Sequence, residues 1–381
     1  MRIALVHSYY RSALPSGENL VVDLQAEALA RAGHDVQLLA LRTDEVNSGR
    51  TYPLRSAVTV ATGIGPSPIE QIRAIAPDVV HVHNLFPNYG RTWLREYDGP
   101  LVATVHNYRS VCARGTLERA GQGCIACVEH GSVLPALVHR CYRDSTLATV
   151  PVAMMSLRRP IRQALLRRAD RIVVPSLTTH RILREAGVPE GVLSVVPHFT
   201  PDPPQQTGPR AGWLWVGRLM AEKGLPEVLA HWPAGEPLLV VGDGPDRERC
   251  QQLAPPGVRF AGRLPHDRVL KAMGATLGLI VTSRAMETFG LTHAEALSRG
   301  TPVLALHGSA VADAVAHHAT GAVFRSAADL CRAVGAGTWP ARLNTHCRAV
   351  YERHFSEAGW LKAIEAVYEQ VQVTGRAACH V

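Results

Sequence analysis

Short runs of β-branched and apolar residues alternate with helix-forming segments along almost the whole chain, and this alternation restricts the fold more than any other feature. Strands that alternate with helices form βαβ units, which build parallel sheets covered by helices on both faces. The sequence therefore predicts an α/β protein. The predicted strands are residues 3–7, 36–41, 79–83, 101–106, 171–175 and 193–197 in the first half, and 213–217, 238–242, 258–261, 277–281, 303–306 and 322–324 in the second.

A chain of 381 residues is too long for one ordinary hydrophobic core, so we expect two domains. A Pro-rich segment with few apolar residues separates the two sets of strands and is typical of a linker. The predicted parts are an N-terminal Rossmann-like domain (1–196) with a cysteine-rich insertion (108–145), a linker (197–211), a C-terminal Rossmann-like domain (212–350) and a C-terminal helix (351–381) that crosses back to the first domain.

Ligands of open parallel sheets bind beyond the carboxyl ends of the strands. The residues that follow each predicted strand are therefore the candidates for a functional site, and we expect this site in a cleft between the two domains.

The segment 284–302 follows a predicted strand and carries two carboxylates, Glu287 and Glu295, separated by seven residues. Gly290 and Leu291 lie between them, where a loop is predicted to become a helix. A helix N-terminus offers unpaired N–H groups and a favourable dipole for anions. Carboxylates accept hydrogen bonds from paired sugar hydroxyls. The segment thus predicts donors for a diphosphate next to acceptors for ribose and hexose hydroxyls.

Two further turns in the second half carry phosphate-binding features. Gly217 and Arg218 follow a predicted strand, and Lys223 comes five residues after Arg218 across a turn that enters a helix. A guanidinium and an ammonium at this spacing can hold two phosphates, although a solvated surface pair has the same pattern. Gly242 closes the next strand in a tight turn that we expect to contact a nucleotide.

In the first half, Gly17 precedes an amphipathic helical pattern, and a glycine there lets a phosphate approach the backbone. His83 and His106 each end a predicted strand, and Asn107 follows the second histidine. Two histidines at the ends of parallel strands would both point to the site. We expect His106 to contact substrate, whereas for His83 we favour a satisfied core position over substrate contact.

Four of the eight cysteines fall within 30 residues, with the spacing C-x11-C-x2-C-x13-C. In a reducing compartment this pattern predicts a structural zinc site. Reduced thiols, an oxidised pair and an iron–sulfur cluster remain alternatives. The predicted ligands are Cys112, Cys124, Cys127 and Cys141.

The formal net charge of +8 is compatible with phosphate-bearing substrates, anionic membranes or nucleic acid. The sequence contains no run of basic residues interleaved with aromatic residues, so nucleic acid is disfavoured as a partner.

The start of the chain is predicted as a strand rather than a signal peptide, so we expect a cytoplasmic protein. Residues 152–168 combine apolar residues with five arginines. This segment predicts peripheral contact with the inner face of the membrane, or else a packed helix with a solvated basic face.

In combination these motifs resemble the family-four retaining glycosyltransferases of the GT-B fold, the group that includes glycogen synthases and mannosyltransferases. The ordered matches cover nearly the whole chain, and the one mild departure is Thr288, where the commonest family form has proline. The matching segments are PSGE (15–18), HN (83–84 and 106–107), GRL and EKG (217–224), VVGDGP (240–245), ETFGLTHAEAL (287–297) and GTPVLA (300–305).

The resemblance implies a GT-B protein with two Rossmann-like domains facing a cleft. It implies that Glu295 binds the ribose of a nucleotide-sugar donor, Glu287 contacts the donor sugar, and Arg218 and Lys223 hold the diphosphate. The N–H groups near Gly290 and Leu291 would assist, Gly17 would close over the diphosphate, and His106 would lie beside the transferred sugar. His83 and Asn107 fall on the acceptor side of the site.

The resulting hypothesis is a retaining, metal-independent hexosyltransferase that uses a nucleotide-diphosphate sugar, with UDP or GDP expected as the nucleotide. The acceptor would be a lipid-linked glycan or a small natural product. A nucleotide-sugar 2-epimerase of the same fold and a non-catalytic nucleotide-sugar-binding protein remain alternatives. A dinucleotide-dependent dehydrogenase is disfavoured because no G-x-G-x-x-G follows the first strand.

Overall fold

The structure is a computed structural model that describes residues 1–12, 16–46, 51–155, 163–202, 204, 208–337 and 342–378. The strands are β1 (Arg2–Tyr9), β2 (Asp35–Arg42), β3 (Val79–Asn84), β4 (Leu101–Thr104), β5 (Glu118–Arg119), β6 (Gln122–Gly123), β7 (Arg171–Val174), β8 (Leu193–Val195), β9 (Trp213–Val216), β10 (Leu238–Val241), β11 (Val258–Gly262), β12 (Gly278–Val281), β13 (Val303–Leu306) and β14 (Gly321–Phe324).

The helices cover the sheets between these strands. They are α1 (Gly17–Arg31), α2 (Thr43–Val46), α3 (Tyr52–Thr62), α4 (Ile69–Ile75), α5 (Ala126–Glu129), α6 (Leu134–Val138), α7 (Thr146–Met155), α8 (Ala164–Arg168), α9 (Leu177–Glu185), α10 (Leu225–Leu229), α11 (Arg247–Leu253), α12 (His266–Ala275), α13 (Leu291–Ser298), α14 (Ala310–His318), α15 (Ala327–Gly335), α16 (Arg342–His354) and α17 (Glu357–Ala378).

The chain divides into two compact units, and each is assembled from separate segments. Unit 1 contains Met1–Leu117, Ile125–Val196 and the chain from Leu361 onward, and unit 2 contains Glu118–Cys124 and Pro197–Trp360. Helix α17 therefore begins in unit 2, where Trp360 packs against Phe199, and continues into unit 1.

Unit 1 is built on a six-stranded sheet with the order β2-β1-β3-β4-β7-β8, and every neighbouring pair is parallel. Its central strands are buried on both faces, which explains why they appear as continuous apolar runs. The strand order reverses between β1 and β3, so this is the topological switch point where ligands of such sheets bind.

Unit 2 repeats the architecture with a six-stranded parallel sheet of order β11-β10-β9-β12-β13-β14. This order corresponds to the 3-2-1-4-5-6 arrangement of dinucleotide-binding folds, with the switch point between β9 and β12. One buried cluster around Trp213, Trp215 and Val240 covers one side of the unit, and a second around Leu214 and Leu279 covers the other.

These two sheets confirm the predicted α/β class with two Rossmann-like domains. All twelve predicted strands are present, with ends that differ by a few residues. The short antiparallel pair β5–β6 was not predicted, because four residues around a turn give no recognisable period. Within the basic stretch 152–168, residues 156–162 lie outside the described residues.

Among the described helices, none combines the length with the apolar character that a membrane crossing requires.

Candidate active site

The carboxyl ends of β9 and β12 bring the second-half motifs together at the switch point of unit 2. The two strands pair in parallel, with Trp213 opposite Gly278 and Trp215 opposite Ile280. The loop after β9 carries Arg218 and Lys223, and the loop after β12 carries Glu287. Parallel pairing therefore places residues that are some 70 positions apart in the sequence at one edge of the sheet.

Glycines allow the loops after β9 and β10 to touch through their backbones. The N–H of Gly217 donates to the carbonyl of Val241 at 3.0 Å. A Cβ atom on Gly242, whose φ is +135°, would lie 1.8 Å from the carbonyl oxygen of Gly217. Any side chain at position 242 would thus force apart the two turns that carry the predicted phosphate-binding residues.

The segment that carries Lys223 is fixed against the end of β12. The Trp215 indole donates to the Thr282 hydroxyl at 3.0 Å, and that hydroxyl donates to the carbonyl of Lys223. A Cβ atom on Gly224 would lie 2.5 Å from the carbonyl oxygen of Thr282. These contacts fix the backbone of Lys223 against the end of β12, so its side chain extends from a defined position.

Lys223 forms an ion pair with Glu287, through its Nζ and the Oε1 of the carboxylate. Both side chains are about one-quarter exposed, at 25% and 24%. Burial opposes ionisation of Glu287, but the positive charges of Lys223 and Arg218 prevail and hold the pKa of this carboxyl below its ordinary value. Glu287 is therefore a carboxylate throughout the neutral range.

Arg218 stands beside this pair with its side chain exposed. Its guanidinium makes no hydrogen bond or ion pair to any other residue that the structure describes. Its five N–H donors remain available for an anion, and a planar guanidinium matches a phosphate in two-point contact.

The N-terminus of α13 borders the same carboxylate. Gly290 precedes the helix with φ of +86°, and a Cβ atom built on it would lie 3.5 Å from Oε2 of Glu287. The same Cβ would also lie 2.2 Å from Val311, so this position requires glycine. Leu291 is the first residue of the helix, where backbone N–H groups lack carbonyl partners.

Glu295 lies farther along α13 and is buried. Its Oε1 is 2.8 Å from Nε2 of His266, the first residue of α12. The structure places Glu295 on the helix that begins beside Glu287, as predicted. The histidine partner was missed, because nothing in the sequence pattern links position 266 to position 295.

In unit 1, His83 and His106 come together at the ends of β3 and β4. Nδ1 of His83 lies 2.9 Å from Nε2 of His106. His83 also stacks on His81, with ring centroids 4.2 Å apart. A pocket within unit 1 is lined by both members of the bonded pair and by the neighbouring Asn84, Asn107 and Arg109. The two strand-end histidines thus lie in contact, and both line this pocket.

Asn107 connects the pocket to the start of α1. Its amide donates to Oε2 of Glu18 at 3.0 Å. Burial raises the pKa of Glu18 to about 7, although Asn107 and Arg109 oppose the shift. Gly17 precedes Glu18 as the first residue of α1, and Pro15 of the same motif lies outside the described residues. Glu18 was not predicted as a site residue, because its burial and its contact with Asn107 depend on a segment far away in the sequence.

The four clustered cysteines do not form a metal site in this structure. Among the described residues, which include all four, no group of three or more His, Cys, Asp or Glu side chains is arranged to hold a metal ion. Cys127 and Cys141 instead pack against the apolar cluster of Val60, Ala136 and Val152. Cys124 belongs to unit 2, whereas Cys112 belongs to unit 1. The structural zinc stays a prediction.

Comparisons with known proteins match both halves of the chain. Residues 15–201 match the model described as Glycosyltransferase Family 4, and residues 210–338 match Glycosyl transferases group 1. The chain is 25% identical to the glycogen synthase of Mycobacterium tuberculosis, over 94% of this chain and 92% of that protein. It is 29% identical to the 2-deoxystreptamine N-acetyl-D-glucosaminyltransferase of Streptomyces fradiae, over 75% and 69% respectively.

The fold is similar to solved structures over nearly the full length. Anabaena HepE, crystallised in complex with UDP and glucose, superimposes with a TM-score of 0.61 at 16% identity, covering 97% of this chain and 100% of that one. The chain belongs to the family-4, group 1 glycosyltransferases, and its fold is GT-B.

Replacing Lys223 with methionine tests the ion pair with Glu287. The carboxylate keeps its shielded surroundings but loses its main counter-charge. We therefore expect Lys223→Met to lower the free energy of unfolding by about 1–3 kcal/mol at neutral pH, as measured by urea denaturation. Lys271→Met, on the exposed face of α12, is the matched control and should change stability little.

The effect of Lys223→Met should depend on pH in a defined direction. In the wild type the pKa of Glu287 is depressed, so the stabilisation is present at neutral pH and disappears only as pH falls through that lowered pKa. In the variant, burial acts with less opposition and raises the pKa of Glu287. The deficit relative to wild type should then shrink as the carboxyl is protonated on acidification. A deficit that is constant with pH would contradict the assigned charge interaction.

Proposed function

We propose that this protein is a retaining glycosyltransferase that moves a hexosyl group from a nucleotide-diphosphate sugar to an acceptor hydroxyl. The observation that carries the proposal is the convergence of Arg218, Lys223 and Glu287 beside the N-terminus of α13, at the switch point of the group 1 domain. This arrangement offers cations and N–H donors to a diphosphate, and a carboxylate to sugar hydroxyls.

Each group in unit 2 has a distinct part in holding the donor. Arg218 and Lys223 bind the diphosphate, together with the N–H groups at Gly290 and Leu291. Glu287 accepts hydrogen bonds from the donor sugar, and its ion pair with Lys223 holds the two groups next to each other. Glu295 accepts from the ribose hydroxyls.

Breaking the bond between the anomeric carbon and the diphosphate oxygen leaves the electron pair on the diphosphate. Positive character then develops on the sugar ring. Arg218 and Lys223 interact more strongly with the leaving diphosphate as its charge grows, which lowers the barrier selectively. The two side chains supply the positive charge that metal-dependent enzymes take from an ion, so we propose a metal-independent reaction.

In the single-step route to retention that we propose, the acceptor oxygen arrives on the face from which the diphosphate departs. The acceptor hydroxyl forms the new bond to the anomeric carbon, and its proton passes to an oxygen of the leaving phosphate. Every bond and proton in this step is then accounted for, and no nucleophile from the protein is needed. His106 lies beside the transferred sugar in this scheme and contacts it directly.

The pocket of unit 1 is our candidate for the acceptor side. It combines polar groups from His83 and Asn107 with apolar walls such as Phe86 and Leu166. Such a lining suits a ring that has both hydroxyl edges and apolar faces. The name of the Streptomyces relative points to a small cyclic natural product, and a lipid-linked glycan is the other acceptor class that we consider.

UDP is the nucleotide to test first, because HepE was crystallised with UDP, and GDP is the second choice. For the location of the enzyme we propose the cytoplasm, with peripheral contact to the inner face of the membrane.

The membrane contact that we propose uses three helices of unit 1. Helices α3, α6 and α7 pack together through Val60, Ala136 and Val152. Each helix also exposes large apolar side chains, which we call the three-helix surface: Leu54, Val58, Leu134, Val138, Leu147, Val150 and Met154.

Charge selects an anionic lipid surface as the occupant. Residues 131–169, which include α6 and α7, contain seven arginines, one aspartate and no lysine or glutamate. Such a positive excess repels a second copy of the chain and attracts anionic headgroups, while exposed leucines insert among the acyl chains. Stable peripheral binding commonly needs both contributions.

The proposed reaction is tested by incubating the protein with UDP- and GDP-hexoses and candidate acceptors. NMR of the product should show the same anomeric configuration as the donor. Inverted product would contradict the retaining mechanism. Turnover of the donor sugar without acceptor would favour the 2-epimerase, and nucleotide binding with no turnover would favour a non-catalytic binding protein.

Arg218→Ala should lower kcat by about a hundredfold or more, since it removes a donor aimed at the developing charge. Arg268→Ala, at an exposed position on α12, provides the control with the same change of charge. Near-normal kcat in Arg218→Ala would refute the role of this guanidinium in diphosphate departure.

Membrane contact is measured by co-sedimentation with phosphatidylcholine vesicles, with and without phosphatidylglycerol. We expect binding only to the anionic vesicles, weakened about tenfold by Leu147→Gln. Leu147 is 87% exposed on α7; the control Leu177→Gln changes a 53% exposed leucine on α9. Equal binding by the two variants, or none by the wild type, would contradict the proposed surface.

A further inference from the structure

The carboxylate of Glu295 is held by a residue outside its own helix. Its side chain is only 10% exposed, whereas the His266 side chain that contacts it is 51% exposed. The contact joins Oε1 of Glu295 to Nε2 of His266 at 2.8 Å. Because an ionised carboxylate can only accept, the Nε2 atom of His266 carries the proton and donates.

Within the described part of the chain, His266 is the one hydrogen-bond partner of the Glu295 side chain. One carboxylate oxygen is therefore fixed by the imidazole, and the other makes no hydrogen bond to a described residue. A shielded carboxylate that is half satisfied retains acceptor capacity for a ligand. The hydrogen bond from His266 also selects one rotamer of the Glu295 side chain, which could otherwise rotate.

The charges around His266 favour this bond. The hydrogen bond to Glu295 is the largest influence and raises the pKa of His266, burial opposes it, and the charges of Glu295 and Asp267 add to the increase. The imidazole is thus a donor to Glu295 whether it is protonated or neutral with its proton on Nε2.

We propose that His266 is a positioning residue for nucleotide recognition: it orients Glu295 so that the second oxygen accepts from the ribose 2′- and 3′-hydroxyls. This inference rests on the proposed function, specifically on the ribose role of Glu295. His266 touches no reacting atom, so its effect should appear in binding rather than in chemistry.

A purely structural histidine would behave differently. His266 begins α12 without serving as its N-cap, a position occupied by Pro265. Removal of an exposed imidazole at this place should leave the fold intact. Any loss of nucleotide affinity would then reflect the orientation of Glu295.

The test compares one nucleotide with and without its ribose hydroxyls. Titration calorimetry is carried out with UDP and 2′,3′-dideoxy-UDP, or with the GDP pair if GDP binds more tightly. The proteins are the wild type, His266→Phe, His266→Gln and the control His231→Phe, which alters an exposed histidine bonded to the carbonyl of Glu227.

The wild type should prefer UDP over the dideoxy nucleotide. His266→Phe should bind UDP about tenfold more weakly, the effect of one hydrogen bond to a charged group, and bind the dideoxy nucleotide as the wild type does. His266→Gln, whose amide can donate, should recover part of the preference. Because kcat depends on later steps, His266→Phe should raise KM far more than it lowers kcat.

The failures are distinguishable. If the wild type binds neither nucleotide, or does not discriminate between the ribose forms, the role of Glu295 in the proposed function falls. If the wild type discriminates and His266→Phe retains the full preference, the positioning role is overturned. Equal losses for both nucleotides would also overturn it, since they would indicate a general structural effect.

Discussion

The ion pair between Lys223 and Glu287 is the interaction on which the candidate donor site depends. It joins the loop after β9 to the loop after β12, the two strands that flank the switch point of unit 2. Without the ammonium, burial would favour the neutral carboxylic acid; with it, a carboxylate persists beside the N-terminus of α13. The site thus holds opposite charges close together before any ligand arrives, which is a preorganised state for a substrate that carries both phosphate and hydroxyl groups.

Much of this arrangement could be predicted from the sequence, because parallel sheets convert order along the chain into position at an edge. Once β9 and β12 are assigned as strands of one sheet, Arg218, Lys223 and Glu287 must follow their carboxyl ends. The requirement for glycine at positions 242 and 290 has an equally local cause, since each has positive φ and a close neighbour. These features depend on one segment at a time, or on the pairing of recognisable strands.

The parts that could not be predicted depend on contacts between side chains from unrelated segments. His266 meets Glu295 only because α12 packs on α13. Glu18 acquires a pKa of about 7 from burial, which no local pattern specifies. The surroundings of the cysteines were not predicted either: their spacing is typical of zinc ligands, and it does not indicate that Cys127 and Cys141 pack against an apolar cluster. The spacing of residues along the sequence limits which side chains can come into contact, but the packing of the surrounding segments determines which contacts form.

Helix α17 has a consequence for how the polypeptide matures on the ribosome. Unit 1 includes the segment from Leu361 onward. Within it, the hydroxyl of the buried Tyr368 lies 2.7 Å from Nδ1 of the buried His81. Unit 1, which begins to emerge first, therefore lacks a structural piece until the segment that follows Trp360 has been translated. Unit 2 can reach its native state earlier than the part of the protein that precedes it. For the same reason, a chimera that takes unit 1 from a relative would also have to take helix α17 from that relative.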